Sequence, residues 1–270
     1  MRIAVCIKAV PDPREAQSVT IDPIKKTLRR EASVSVINPL DRNALEAALR
    51  LREAHGGEVS VFSMTLPAAE PILREALAMG ADRAYLLSDR AFAGSDTLVT
   101  AQILAKALCL AAESVNWDLL LFGSYSSDGG TSQVPAQVGE ILGIPHYHFL
   151  HQLSYEDERF EFAFANGNGV FLWQAMPPVL LSVSRELNKP RYISLPGIMK
   201  AKKKKIILWD AEALSIVPAD VGLLGSPTQS GDLHQIIHSR HGEVLDGDIH
   251  AQVEKVLNKL VALGSFPGGR

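Results

Sequence analysis

Cysteine is scarce: Cys6 and Cys109 are the only two in 270 residues. Both stand in apolar surroundings, which excludes a disulfide framework and a cysteine-based metal centre. Long hydrophobic runs are absent too. The longest nearly apolar stretch, residues 101–112, is broken by Gln102 and Lys106. It falls far short of the roughly 20 residues needed to cross a bilayer. The first residues run straight into a strand-like segment without a basic n-region and cleavage site, so no secretory leader is expected. A soluble, cytoplasmic protein is expected instead. Neither sign of charge dominates, since 27 Lys and Arg against 30 Asp and Glu leave a net charge of −3. That balance offers no global attraction to nucleic acid or to an anionic membrane. Catalytic signatures are missing as well, with no Walker A GK[ST], no GxGxxG, no HExxH and no nucleophile elbow.

What is present is an alternation. Residues 2–9 (RIAVCIKA) form an apolar run of β-formers, of the kind buried in the centre of a parallel sheet. Asn38-Pro39-Leu40-Asp41 then opens a helix with Ala44, Leu45, Ala48, Leu49 and Leu51 at helical spacing, stopped by Gly56-Gly57. Strands follow at 58–64, 84–87 and 118–122, with helices at 68–79, 97–114 and 131–142. Four β-α units over about 140 residues predict an α/β fold, a doubly wound parallel sheet. From 153 the pattern changes to an antiparallel hairpin, with Phe160, Phe162 and Phe164 at period two and a turn at residues 166–169. A buried strand, VLLSVS, comes after Pro177-Pro178. Beyond Leu187 the chain reads as irregular and basic, and an amphipathic helix over 249–263 ends the pattern. The predicted organisation is a nucleotide-binding domain at 1–190, a loop at 191–205 and an extended C-terminal arm at 206–270.

Three segments carry candidate chemistry. Gly123, Ser124, Tyr125, Ser126, Ser127, Asp128, Gly129, Gly130, Thr131, Ser132, Gln133 and Val134 connect a strand to a helix. Such a turn leaves backbone N–H groups free at the C-terminal edge of the sheet, where a helix N-terminus favours anions. Gly129-Gly130 permits close backbone approach, and Ser127, Thr131 and Ser132 add hydroxyl donors, so a phosphate or pyrophosphate suits the loop. The plainer alternative is a polar loop in which Thr131 or Ser132 caps the helix. Asn38 before Pro39 is held extended with its amide free, on the same sheet edge, although the motif also serves as an ordinary helix entry. The third segment sets Lys200, Lys202, Lys203, Lys204 and Lys205 beside Leu195, Ile198 and Met199. This mix suits docking of an acidic protein partner better than nucleic acid. His146 and His148 flank Tyr147, and His234, His238 and His241 lie in the tail, but no metal site is expected from them. Asp12, Asp41, Asp128 and Glu140 are possible acids without an evident catalytic pairing. Phosphate-binding features without an acid–base pair point to a carrier of a nucleotide or redox cofactor rather than a hydrolase.

Five segments in order resemble one family, the β-subunits of electron transfer flavoproteins. They are VCIKAVPD, INPLDRNALEAALRL, LREALAMGADRAYLL, DGGTSQV and LNKPRYISLPGIMKAKKK. The resemblance implies an adenine nucleotide α-hydrolase-like fold and a heterodimer with an α-subunit that carries a redox-active FAD. It implies a second nucleotide in the β-subunit: AMP in ordinary members, or a second FAD oxidising NADH in electron-bifurcating ones. By motif, that nucleotide site comprises Cys6, Asn38, Pro39, Leu40, Asp41, Met64 and residues 123–134. Leu195 becomes an apolar knob for acyl-CoA dehydrogenase partners, flanked by Ile198, Met199, Lys200 and Lys203, and the C-terminal arm wraps onto the α-subunit. Electrons then pass onward to a quinone oxidoreductase or similar acceptor. Two departures concern the nucleotide: Ser124-Tyr125-Ser126 replaces a charged or amide pair, and Gly130 replaces an acidic residue. The tail segments GSPT and HGEV resemble bacterial and bifurcating members, whereas the 191–205 segment resembles the type that serves acyl-CoA dehydrogenases. A stand-alone nucleotide-binding module of the same fold is a further alternative, which the long C-terminal arm disfavours.

Overall fold

Nearly continuous β-branched and leucine runs demand a sheet covered on both faces, and the chain builds one. The computed structural model describes residues 1–12, 21–22, 27–28, 35–113, 115–229, 231 and 242–264. In chain order the strands are β1 (Arg2–Cys6), β2 (Ala9–Pro11), β3 (Ile21–Asp22), β4 (Thr27–Leu28), β5 (Ser35–Ile37), β6 (Glu58–Met64), β7 (Arg83–Leu87), β8 (Leu119–Gly123), β9 (His146–Glu156), β10 (Arg159–Asn166), β11 (Gly169–Ala175), β12 (Val179–Val183) and β13 (Ile206–Trp209). The helices are α1 (Pro39–His55), α2 (Glu70–Met79), α3 (Thr97–Ala112), α4 (Val134–Leu142), α5 (Leu195–Lys203), α6 (Gly222–Gly225) and α7 (Ile249–Ala262).

The main sheet runs β11-β10-β9-β12-β8-β1-β6-β7-β13. From β9 to β13 every pairing is parallel, while β10 and β11 add an antiparallel hairpin to one edge. The α/β, doubly wound parallel architecture is therefore as the sequence predicts, and the hairpin extends the same sheet. Helices α1 and α2 cover one face through Leu45, Leu49, Ile72 and Leu73. Helix α3 and Val138 of α4 cover the other, where Phe62 stacks on Tyr85 at 4.5 Å between ring centroids. From β1 the chain winds outward to β6 and β7, then returns through α3 to β8 on the opposite side of β1. That reversal opens a crevice at the C-terminal ends of β1 and β8.

Several local expectations are corrected. The strand expected over 2–9 stops at Cys6; the chain leaves the sheet at Lys8, and Ala9–Pro11 pairs instead with β5. The helix expected from Thr131 starts at Val134, because Ser132 adopts a φ of 58°, outside the helical region. Neither Thr131 nor Ser132 caps it, and Gln133 occupies that position without a side-chain capping bond. Residues 195–203, expected to be irregular, form α5, with Ser194 Oγ accepting the Gly197 N–H as its cap. Residues 206–209, expected to begin an arm, join the sheet beside β7, and Ala211, Leu214, Ile216 and Val221 are buried in the α3 face. Apolar residues spaced too irregularly for a helix or strand signal carry that packing.

Two units make up the chain, residues 1–232 and 233–270. The second holds α7, capped at its start by Asp248, whose side chain accepts the His250 and Ala251 N–H groups. His234, His238 and His241 lie outside the described residues. Among the described residues no helix is long and apolar enough to cross a membrane.

Candidate functional site

The crevice between β1 and β8 is built by α1 and the loop after β8. Asp41, in the first turn of α1, is buried, and its carboxylate accepts the Lys8 N–H at 2.7 Å and the Gly123 N–H at 3.0 Å. One side chain thus ties together the ends of β1 and β8. Burial is the main influence on Asp41 and lifts its pKa to about 7, while Asn38, the Lys8 and Gly123 N–H groups and the Lys8 charge pull it down. Gly123 is required by this contact: a Cβ there would lie 2.3 Å from Asp41 Oδ1 and 2.8 Å from the Asp41 nitrogen.

Asn38 clasps the loop itself. Its Nδ2 donates to the Tyr125 carbonyl at 2.9 Å, and its Oδ1 accepts the Ser127 N–H at 3.1 Å. Because Pro39 follows, Asn38 is held extended (ψ 130°), and its buried amide works as a two-sided bracket. Lys8 supplies the cation. Its Nζ lies 2.6 Å from Asp128 Oδ1 and 3.1 Å from Ser126 Oγ. Gly130 closes the turn, with its N–H on the Ser126 carbonyl and a φ of 63°. Thr131 and Gln133 then lie exposed at the start of α4, and Gln133 Oε1 accepts from Thr97 Oγ1.

This arrangement fits an anionic nucleotide. A Cβ on Gly130 would meet nothing nearer than the Ser126 carbonyl at 4.0 Å, so the mouth is open. The N-terminus of α4 carries no side-chain cap, and Lys8, half-exposed, holds the Ser126 hydroxyl and Asp128 in the loop that leads to it. These are the donors a phosphate needs.

The residues singled out in the sequence fall into three groups. Asn38, Asp41, Gly123 and residues 125–130 meet at the crevice. Ser124 turns inward, its Oγ donating to the Val183 carbonyl at 2.8 Å, so it anchors the loop to β12. Cys6 and Leu40 are buried, Pro39 is exposed, and Met64 ends β6. Burial, with Asp41 nearby, raises the Cys6 thiol pKa well above the ordinary range, so Cys6 stays a neutral packing group. Sequence reasoning missed Lys8; the signal was a lone lysine at the end of an otherwise apolar strand.

A second surface is pinned to α1 by charge. Glu46 of α1 is buried, and Arg191 reaches it with Nε at 2.8 Å while also pairing with Glu53. Burial opposes ionisation of Glu46, but hydrogen bonds from Arg191 and Arg50 outweigh it and lower its pKa. Asn43 Nδ2 donates to the Asn188 carbonyl at 2.7 Å, and Asn188 Nδ2 returns a bond to the Asn43 carbonyl. The clasp fixes the approach to α5. There Gly197 crosses α2 so closely that a Cβ would sit 2.4 Å from the Ala78 carbonyl. Arg74 donates to the Ala201 carbonyl in the last turn of α5 and to that of Lys204 just beyond it. A rigid short helix therefore presents Leu195, 78% exposed, with Met199 and Tyr192 and the basic side chains of its last turn.

Residues 26–214 match the family model described as the electron transfer flavoprotein domain. An electron transfer flavoprotein subunit beta of Thermoanaerobacterium thermosaccharolyticum is 43% identical over 261 residues, 96% of this chain and 98% of that one. The caffeyl-CoA reductase-Etf complex subunit CarD of Acetobacterium woodii is 43% identical over 230 residues, covering 85% and 86%. The acryloyl-CoA reductase electron transfer subunit gamma of Anaerotignum propionicum is 35% identical over 266 residues, covering 97% and 98%.

Proposed function

The chain belongs to the β-subunits of the electron transfer flavoprotein family, and from that premise we propose that it pairs with an α-subunit bearing FAD and holds an adenine nucleotide of its own, AMP, over residues 123–134. The observation that carries the reading is the loop clasped by Asn38, Asp41 and Lys8 at the β1/β8 crevice. In this role AMP supplies charge and shape rather than redox chemistry. Lys8 and the start of α4 hold its phosphate, and the open mouth beside Gly129-Gly130 admits it. No acid–base pair is needed, because the chain moves no proton and breaks no bond.

Electrons would enter the α-subunit's FAD from an acyl-CoA dehydrogenase-type flavoenzyme and leave to a quinone oxidoreductase or similar acceptor. Two of the relatives are named as subunits associated with reductases of CoA thioesters, which supports a partner of that class. Helix α5 would dock that partner through Leu195, Ile198 and Met199, with Lys200 and Lys203 steering the encounter. Residues 242–264 would pack on the α-subunit. A second reading is a bifurcating carrier in which FAD occupies the same cradle and oxidises NADH.

The test mixes the purified heterodimer with an acyl-CoA dehydrogenase and its substrate, and in parallel with NADH alone, while following flavin bleaching. Bleaching only in the first mixture is the expected result. Rapid bleaching by NADH alone selects the second reading, and bleaching in neither refutes both.

A further inference from the structure

Away from the candidate nucleotide site, α2 and α5 enclose an open groove of about 520 Å³. Its apolar lining is Pro67, Pro71 and Ala78 on the α2 side, with Ile193, Ile198 and Ala201 on the α5 side. The groove follows from how the two helices meet. They touch backbone to backbone where Gly197 crosses the Ala78 carbonyl, an approach that any Cβ would block. Beyond that crossing, Pro67 and Pro71 present short, exposed rings instead of long side chains, so the space beside Ile198 stays unfilled.

The groove adjoins the exposed Leu195. Leu195, Ile198 and Lys202 stand at i, i+3 and i+7 of α5, on one stripe of the helix. Leu195 projects from the start of that stripe, while Ile198 and Lys202 line the groove. Ile198 follows Leu195 by only about 4.5 Å along the helix axis. A partner contributing the roughly 800 Å² of a standard interface around Leu195 therefore covers the groove as well.

Charge states what fits there. On the α2 wall both acids are already paired: Glu70 Oε1 lies 2.7 Å from Arg74 Nη2, and Glu75 Oε1 lies 2.7 Å from Arg42 Nη2. The other terminal nitrogen of Arg74 is spent on the Ala201 and Lys204 carbonyls. On the α5 wall Lys202 is exposed, with Lys200 and Lys203 beside it on the same helix. Among the described residues none of these three lysines has an ion-pair partner. The rim is thus positive around an apolar floor, which complements an apolar side chain bordered by carboxylates. A small polar metabolite suits the groove poorly, because its acids and arginine are already committed to one another and to the backbone.

We propose that the α2/α5 groove is a socket for the electron-donating flavoenzyme, which inserts an apolar side chain flanked by carboxylates between Pro71 and Ile198 while Leu195 inserts into that enzyme. The assignment rests on the reading of α5 as the docking helix. Docking is then reciprocal, with one apolar anchor passing in each direction and Lys202 meeting the carboxylates at the rim. Pro71 becomes a specificity-determining position on α2, outside the segment of residues 191–205.

The experiment uses the heterodimer as electron acceptor for an acyl-CoA dehydrogenase and its substrate, with flavin bleaching giving KM and kcat at low and high salt. Pro71→Trp, Pro71→Glu and Pro71→Lys are compared with Leu195→Ala and the native protein. Pro71 is exposed at the second position of α2, where no helical hydrogen bond is at stake. Pro71→Trp fills the groove and should raise KM about tenfold at either salt concentration, with kcat unchanged. Pro71→Glu should raise KM and Pro71→Lys lower it, both effects vanishing near 1 M salt, where the Debye length is about 3 Å. Folding ranks these two the other way, since the first turn of a helix favours an acid and disfavours a base. Thermal unfolding therefore separates a binding effect from a structural one. A KM raised in Leu195→Ala but unchanged in Pro71→Trp overturns the socket and leaves α5 as the dock. The reverse pattern keeps the socket and removes Leu195 from the dock, and an unchanged KM in all four variants refutes both. A KM raised in Pro71→Trp but equal in Pro71→Glu and Pro71→Lys overturns the acidic occupant. Sedimentation without the dehydrogenase tests a second copy as occupant: native heterodimers that associate, and that Pro71→Trp separates, overturn the flavoenzyme assignment.

Discussion

Asp41→Asn isolates the group that joins the two central strands. The Asp41 pKa rises from an ordinary 3.8 to about 7, chiefly through burial. At 1.36 kcal/mol per unit, about three units correspond to roughly 4 kcal/mol of linkage. The sign follows from the direction of the shift. A carboxyl that holds its proton more tightly when folded contributes stability that is fully present below its ordinary value and is lost as pH rises through about 7. Asparagine has the same shape but does not titrate, and its amide sets a second donor against the Lys8 N–H, a penalty of about 1–3 kcal/mol independent of pH. Urea denaturation of both proteins between pH 4 and 8 measures the difference, in which other titrating groups cancel. The difference should move in favour of the variant by about 4 kcal/mol across that range. A flat difference would refute the account of Asp41 as a desolvated carboxyl.

Other substitutions test neighbouring links. Gly123→Ala forces a Cβ into the Asp41 carboxylate and should lower stability by about 1–3 kcal/mol with loss of bound AMP, seen by thermal unfolding and nucleotide assay. Arg191→Met leaves Glu46 buried with only Arg50 as partner and should lower stability by roughly 2–3 kcal/mol near pH 7. That loss should shrink as pH falls through the ordinary glutamate range, because the Glu46 pKa is lowered in the folded chain. Leu195→Ala removes an exposed side chain, so unfolding and flavin content should be unchanged within about 0.5 kcal/mol. Electron transfer from the acyl-CoA dehydrogenase should nevertheless slow, and unaltered stopped-flow rates would count against the docking role of α5.

Much of the fold was legible because apolar runs and helical spacing repeat regularly from Arg2 to Leu142. The α5 helix was not, since Pro196, Gly197 and a run of lysines read as irregular chain. Its order comes from distant partners, Arg74 at its C-terminus and Ala78 beneath Gly197. β13 was hidden because four residues carry no period, and only pairing with β7 makes them a strand. At the candidate site, the glycine- and serine-rich loop and Asn38-Pro39 announced themselves through turn chemistry. The inward turn of Ser124 onto Val183 and the ion pair of Lys8 with Asp128 were invisible, because they join residues 59 and 120 positions apart. Sequence spacing reports neighbours along a helix or strand and is silent about such pairs.

The most direct test of the central claim is the nucleotide content of the heterodimer after denaturation, with FAD and AMP quantified by chromatography. One FAD and one AMP per heterodimer is the predicted result, with AMP alone lost in Gly123→Ala. A single FAD with no second adenine nucleotide would contradict the claim that residues 123–134 form a nucleotide cradle.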